Sequence, residues 1–192
     1  MKHATTRLLF SYWDSLRGER AAPERSEIEP AAIRRILADT FILELEPGGR
    51  PAIRLAGTRI CAFYARELRS EPFEGLWGRD YSDEGRRLVE VTVDDAVGVV
   101  AGLVASNDAG EALEFELITL PLRHRGRTHA RVLGALSPGS LPLWIGERPL
   151  VELRTVTTRI IRAGGRPIVF DPPEIPVATR PVFVVHEGGR VD

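Results

Sequence analysis

Three β-strands in close succession are predicted by residues 98–139, GVVAGLVASNDAGEALEFELITLPLRHRGRTHARVLGALSPG. The strands cover residues 98–105, 112–122 and 128–136, with turns at 107–110 and 124–127 between them. Parallel neighbours need a crossover of a dozen or more residues, so connections this short make the three strands antiparallel.

Upstream of these strands, apolar spacing predicts a further pair of strands and several helices. Residues 40–45 and 51–56 form a hairpin around the Pro-Gly-Gly turn at 47–49. Helices are predicted at 5–17, from Pro30 onward, at 58–68 and from Ser82 through Ala96. Residues 72–77 form either a tight irregular segment or a short helix.

Downstream, residues 151–161 alternate in the manner of one further strand, and residues 163–192 are rich in proline and glycine. We therefore divide the chain into an N-terminal amphipathic helix and linker (1–28), a central domain (29–140), a C-terminal strand extension (141–162) and an extended tail (163–192).

Composition excludes several classes of protein. Lys and Arg total 26 against 27 Asp and Glu, with Lys2 the only lysine, and this balance speaks against a nucleic-acid partner. One cysteine, Cys61, leaves no internal disulfide and no cysteine-rich metal site. No apolar run reaches the ~18 residues of a membrane helix, and the N-terminus does not fit a secretory signal. We expect a cytoplasmic protein with no membrane association.

Several short motifs resemble a PAS-like family that is common in alphaproteobacteria. They are the opening box YWDSLRG (12–18) with Arg20, Pro23, Arg25 and Ile28-Glu29-Pro30, then RLAGT (54–58), LPL (120–122) and LGA (133–135) followed by Ser137-Pro138. The resemblance covers residues 5–162. It implies an α+β fold, with a five-stranded antiparallel sheet and helices on one face, and a sensory or protein-interaction role.

Such a fold encloses a space between sheet and helices that either holds a small apolar ligand or is filled by side chains. The candidate lining residues are Leu43, Leu55, Cys61, Phe63, Tyr64, Phe73, Trp77, Leu103, Phe115 and Leu117. Because a shift of one residue turns every side chain of a strand to the other face, the inward set is not settled by the sequence.

The first helix carries an aromatic stripe formed by Leu9, Tyr12, Trp13 and Leu16. Exposed aromatic side chains favour interfaces, so the stripe is a candidate dimer or partner surface, and PAS proteins use such a flanking helix for dimerisation. The alternative is that the helix packs on the sheet of its own chain.

Cofactor signatures are missing. Cys61 lies in RICAF and not in the Asn-Cys-Arg-Phe-Leu type of motif of flavin-adduct photoreceptors, so a buried, inert thiol is favoured. No histidine lies in the predicted central helices, which speaks against haem. The cofactor, if one exists, is unknown from the sequence.

A basic turn is formed by Arg123, Arg125, Arg127 and Arg131. It is either a contact for phosphate or an acidic partner, or a solvated hairpin turn.

No catalytic motif and no metal-ligand spacing occur in the sequence. We therefore expect a stand-alone sensory or interaction module that acts through ligand or partner binding and forms a homodimer. One alternative is an adaptor with a filled core. Another is an enzyme that uses the cavity, with Glu114 or Glu116 beside His129.

Overall fold

The computed structural model describes residues 1–46 and 48–161, with the side chains of 128 and 129 left aside. The helices are α1 (Ala4–Arg17), α2 (Thr58–Phe63) and α3 (Ser82–Asp94), and 3₁₀ turns cover Arg25–Glu27, Pro30–Ile33, Leu37–Asp39 and Phe73–Trp77. The strands are β1 (Thr40–Glu44), β2 (Ala52–Ala56), β3 (Gly98–Asn107), β4 (Ala112–His124), β5 (Arg127–Pro138) and β6 (Leu150–Ile161). The predicted tail lies outside the described residues.

All six strands form one antiparallel sheet in the order β2-β1-β5-β4-β3-β6. The three predicted central strands are β3, β4 and β5, each slightly longer than predicted. Arg125 and Gly126 both have positive φ, 52° and 79°, which matches the twist that a two-residue hairpin turn requires. The fold is α+β, as predicted, and the further strand predicted at 151–161 is β6, which joins the five predicted strands in one sheet.

The sheet carries a hydrophobic layer on each face. On the inner face, α2, α3 and the turn Phe73–Trp77 cover one cluster of buried residues. On the outer face, α1 and the segment that follows it cover a second cluster, centred on β4 and β5. The helix predicted at 5–17 therefore packs on the face of the sheet opposite to the other helices.

Two predicted helices are much shorter in the structure, whereas α3 ends only two residues before its predicted end at Ala96. The helix predicted from Pro30 is only the 3₁₀ turn Pro30–Ile33, because so few residues cannot offset the cost of nucleating an α-helix. The helix predicted over 58–68 ends at Phe63, and Ala65 follows with a φ of 50°, a left-handed conformation that does not continue a helix.

Gly134 on β5 lets the inner layer approach the sheet closely. A Cβ atom at this position would lie 2.2 Å from Cζ of Phe41 and 2.6 Å from the carbonyl oxygen of Ile118. The ring of Phe41 therefore lies directly on the backbone of β5, which draws the core inward at this point.

Candidate functional site

The space between the sheet and the helices of the inner face is filled by aromatic side chains. Phe63 meets Phe115 edge-on with ring centroids 5.0 Å apart, and Phe73 packs against Phe41 at 5.1 Å and Trp77 at 5.2 Å. Such tilted and edge-on contacts are the favoured geometry of aromatic pairs.

Only a small cavity remains among these rings, with a volume of about 10 Å³ and walls that include Ile60, Leu136 and Leu153. A single water needs roughly 10–15 Å³ of such space, so the cavity holds one water at most. Of the two alternatives left open by the sequence, the structure has the filled core.

Two polar groups of the core aromatic side chains form hydrogen bonds with neighbouring parts of the fold. The indole Nε1–H of Trp77 donates to Oγ1 of Thr155 on β6, over 3.2 Å. The hydroxyl of Tyr64 donates to the carbonyl oxygen of Leu76 over 3.4 Å, and burial raises the pKa of this phenol. These side chains are therefore structural links, and β6 belongs to the closure of the core.

Most of the predicted lining residues come together here. Eight of them lie in the inner cluster: Leu43, Phe63, Tyr64, Phe73, Trp77, Leu103, Phe115 and Leu117. Cys61 is partly buried at its margin, with Sγ 3.9 Å from Oε2 of Glu67.

Leu55 departs from the prediction, because it is 48% exposed and lies away from the core. Leu43 pairs with Ile53 while Ile42 pairs with Leu55, so the register shifts between these pairs. Arg54 is the extra residue of this bulge, which turns Ile53 inward and Leu55 outward. The sequence prediction missed Ile53, although its alternation within 51–56 made it an equal candidate.

The aromatic stripe of α1 is buried against the sheet of its own chain. Leu9, Tyr12 and Trp13 are 0%, 3% and 1% exposed, and Leu16 is partly buried beside them. The indole Nε1–H of Trp13 donates to the carbonyl oxygen of Pro121 over 2.8 Å. The structure thus has the alternative in which the helix packs on its own sheet, and these side chains are not available to a partner in this arrangement.

Polar contacts hold the middle and the start of α1. The hydroxyl of Tyr12 accepts a hydrogen bond from the backbone N–H of Glu29 over 2.7 Å, and burial raises the pKa of this phenol. The carboxylate of Glu116 accepts from the backbone N–H groups of Lys2 (2.7 Å) and His3 (2.9 Å). Burial alone would raise the pKa of Glu116, but these donors outweigh it and hold the pKa below its ordinary value.

The carboxylates considered for catalysis do not reach the core. Glu114 is exposed, and Glu116 binds the start of α1 on the outer face, so neither faces the space between sheet and helices. Within residues 1–46 and 48–161, no group of three or more His, Cys, Asp and Glu side chains is placed to hold a metal ion.

The four arginines of the predicted basic turn do not form one patch. Arg123 contacts the carboxylate of Glu24 at 3.5 Å, and Arg131 contacts that of Glu44 at 2.5 Å. Arg125 and Arg127 are exposed at the turn itself. The arrangement favours a solvated hairpin with separate ion pairs over a single phosphate site.

Exposed apolar side chains concentrate at one edge of the sheet. Among the residues that the structure describes, six large hydrophobic side chains are exposed, and five of them lie on β6 or in the loop before it: Leu141, Leu143, Val151, Val156 and Ile160. No described strand pairs with the free side of β6. No helix in the described part of the chain is long and apolar enough to cross a membrane.

Comparison with known proteins gives one family and a structural similarity. A family model described as a PAS domain matches residues 1–137. A solved structure described as “Flavin Analogue Sheds Light on Light-Oxygen-Voltage Domain Mechanism” has 16% identity to this chain and a TM-score of 0.43, over 57% of this chain and 83% of that one. No curated protein matches the chain.

Proposed function

The chain belongs to the PAS domain family, and on that premise we propose that it is a sensory or interaction module that acts by binding another protein. The first partner is a second copy of the chain, and the role is not catalytic. The concentration of exposed apolar side chains along β6 carries this proposal. Residues 138–161, which include β6, lie beyond the part that matches the family. The cytoplasmic location stays a prediction.

The filled core favours a protein partner over a small molecule inside the fold. Small-molecule sites typically enclose roughly 300–1,000 Å³. The cavity enclosed among the aromatic rings is about 10 Å³, and the larger pocket between α3 and the β1–β2 turn lies at the margin of the fold, outside that core. A ligand there would have to displace packed aromatic side chains, whereas a partner at the sheet edge displaces only water.

The free edge of β6 supports binding of another strand. An edge strand presents unpaired backbone N–H and C=O groups, and an added strand forms hydrogen bonds with them. Val156 and Ile160 are 64% and 50% exposed along this edge. Two register shifts against β3 limit the regular stretches of β6, which disfavours open-ended pairing and favours one specific partner.

The charges of β6 support a second copy as that partner. Glu152 lies near the start of the strand, whereas Arg159 lies near its end. In an antiparallel pair of two β6 strands, each acidic start faces a basic end, and opposite charges across strands are favourable.

The test is sedimentation equilibrium of the full chain over a wide range of concentrations. We expect a reversible dimer in the wild type and a monomer in the variant Val156→Lys/Ile160→Lys, because lysines on an edge strand oppose pairing. The matched control is Leu55→Lys, which places a charge on an exposed leucine of the opposite edge strand and should leave the dimer intact. A monomeric wild type, or a dimer unaffected by the β6 variant, contradicts the proposal.

A further inference from the structure

A second surface with distinct chemistry lies on the outer side of β1 and β2. It is a pocket of about 430 Å³, which we call the arginine pocket, and four arginines line it: Arg25, Arg54, Arg69 and Arg131. They come from the linker after α1, from β2, from the segment after α2 and from β5. The fold thus gathers cations from four separate parts of the chain at one place.

Only part of this positive charge is neutralised within the described chain. Arg131 and Arg54 share the carboxylate of Glu44, at 2.5 Å and 3.6 Å. Arg25 and Arg69 form no ion pair with any residue in the described ranges. With Glu67 also in the lining, four arginines face two carboxylates, which leaves a surplus of two positive charges. Arg25 and Arg69 are therefore the two guanidinium groups of this pocket that an anionic ligand can pair with.

The pocket also has an apolar wall, formed by Ile42, Leu55 and Ala56. The bulge at Arg54 turns Leu55 outward, where 48% of its surface is exposed. Among the described residues, Leu55 is the only exposed large hydrophobic side chain outside residues 141–160. An exposed leucine beneath free arginines suits a ligand that is apolar at one end and anionic at the other.

We propose that the arginine pocket binds a small organic anion, with a carboxylate or phosphate headgroup and a short apolar tail. Arg25 and Arg69 hold the headgroup, because guanidinium forks match the oxygens of both groups. Leu55 and its apolar neighbours cover the tail. The volume lies within the roughly 300–1,000 Å³ of small-molecule sites. The pocket adjoins β2, at the opposite end of the strand order from β6. The binding experiment therefore tests this proposal independently of dimerisation.

The experiment is a titration of the full chain, followed by calorimetry and by backbone amide shifts, with hexyl phosphate and octanoate as probes. We expect saturable binding of at least one of them, with the largest shifts at Leu55 and Ala56. Because octanoate has one more apolar carbon than hexyl phosphate, a preference of more than about fourfold between them identifies the headgroup. Inorganic phosphate and octanol each lack half of the required chemistry and should bind about tenfold more weakly or worse.

Two variants test the assignment. Arg25→Gln/Arg69→Gln should weaken binding of the better probe by about tenfold or more, because charge-assisted hydrogen bonds are lost. Leu55→Ser should lower the affinity for the better probe toward the affinity that the pocket has for inorganic phosphate, which has no apolar tail. The matched control Arg34→Gln/Arg87→Gln removes two exposed arginines elsewhere and should leave affinity unchanged. Absence of saturable binding, or an equal loss in the control, overturns the proposal.

Discussion

Replacing Trp13 by alanine is expected to destabilise the folded chain strongly, because this side chain fastens α1 to the outer face of the sheet. Trp13 is 1% exposed and donates a hydrogen bond to the carbonyl oxygen of Pro121 over 2.8 Å. The guanidinium of Arg17 lies over its ring, 5.6 Å from the centroid. Truncating a buried tryptophan to alanine costs about 3–5 kcal/mol. The change therefore removes a large part of the roughly 5–15 kcal/mol that stabilises a typical domain.

The measurement is the free energy of unfolding by urea, followed by far-ultraviolet circular dichroism. For a chain of this size the expected loss corresponds to a fall in melting temperature of about 6–20 °C. Trp13→Phe separates the two contributions, since it keeps a buried ring and leaves the carbonyl of Pro121 without its donor, at a cost of about 1–3 kcal/mol. Leu143→Ala is the control, because Leu143 is 98% exposed and its truncation should change stability by less than about 0.5 kcal/mol.

The reasoning is refuted by one specific result. If Trp13→Ala unfolds within about 1 kcal/mol of the wild type but dissociates a dimer, then α1 is an interface between chains. The burial of Trp13 against its own sheet would then not describe the protein in solution.

Three further outcomes follow from other contacts. The pKa of Glu116 lies below its ordinary value of 4.5, so its carboxylate stabilises the fold above that pH, and this stabilisation is lost as the pH falls through the folded-state pKa. Glu116→Gln should therefore flatten the acid dependence of the unfolding free energy, and an unchanged profile contradicts this prediction. Gly134→Ala should destabilise by about 3 kcal/mol or more in urea, since a Cβ there meets the ring of Phe41; a near-neutral effect would show that the ring can move away. The hydroxyl oxygens of Thr92 and Thr119 form a buried hydrogen bond of 2.6 Å, so Thr92→Val should lower the free energy of unfolding by about 1–3 kcal/mol. The double variant Thr92→Val/Thr119→Val should lower it by less than the sum of the two single changes, and additive losses would mean that the hydroxyls do not interact.

Local sequence patterns predicted the strands of this fold well where apolar residues alternate with polar ones and where a turn bounds the strand. The turns around residues 107–110 and 124–127 placed β3, β4 and β5 within three residues of their observed ends. The apolar spacing of α1 predicted its helix, and Gly18, with a φ of 58°, follows its last residue. Helix ends that are not marked by a following glycine were predicted poorly. The prediction over 58–68 is the clearest case, since Ala65 adopts a left-handed conformation that its identity does not indicate.

The candidate sites depended on contacts that no local pattern contains. Leu55 was predicted to line the core, and the bulge at Arg54 turns it outward and Ile53 inward, which no local pattern indicates. The arginine pocket could not be predicted, because Arg25 and Arg69 become neighbours of Leu55 only through the pairing of β2 with β1 and the path of the linkers.

The sequence by itself determined the strands, their antiparallel order along the central meander, and an amphipathic first helix, because periodicity and turn chemistry act over a few residues. Tertiary structure alone decided that α1 covers its own sheet, that aromatic rings fill the core to a cavity of about 10 Å³, and that the exposed apolar surface lies along β6. The physical reason is that an apolar face specifies only that it must be buried. Which surface buries it depends on packing between residues far apart in the chain.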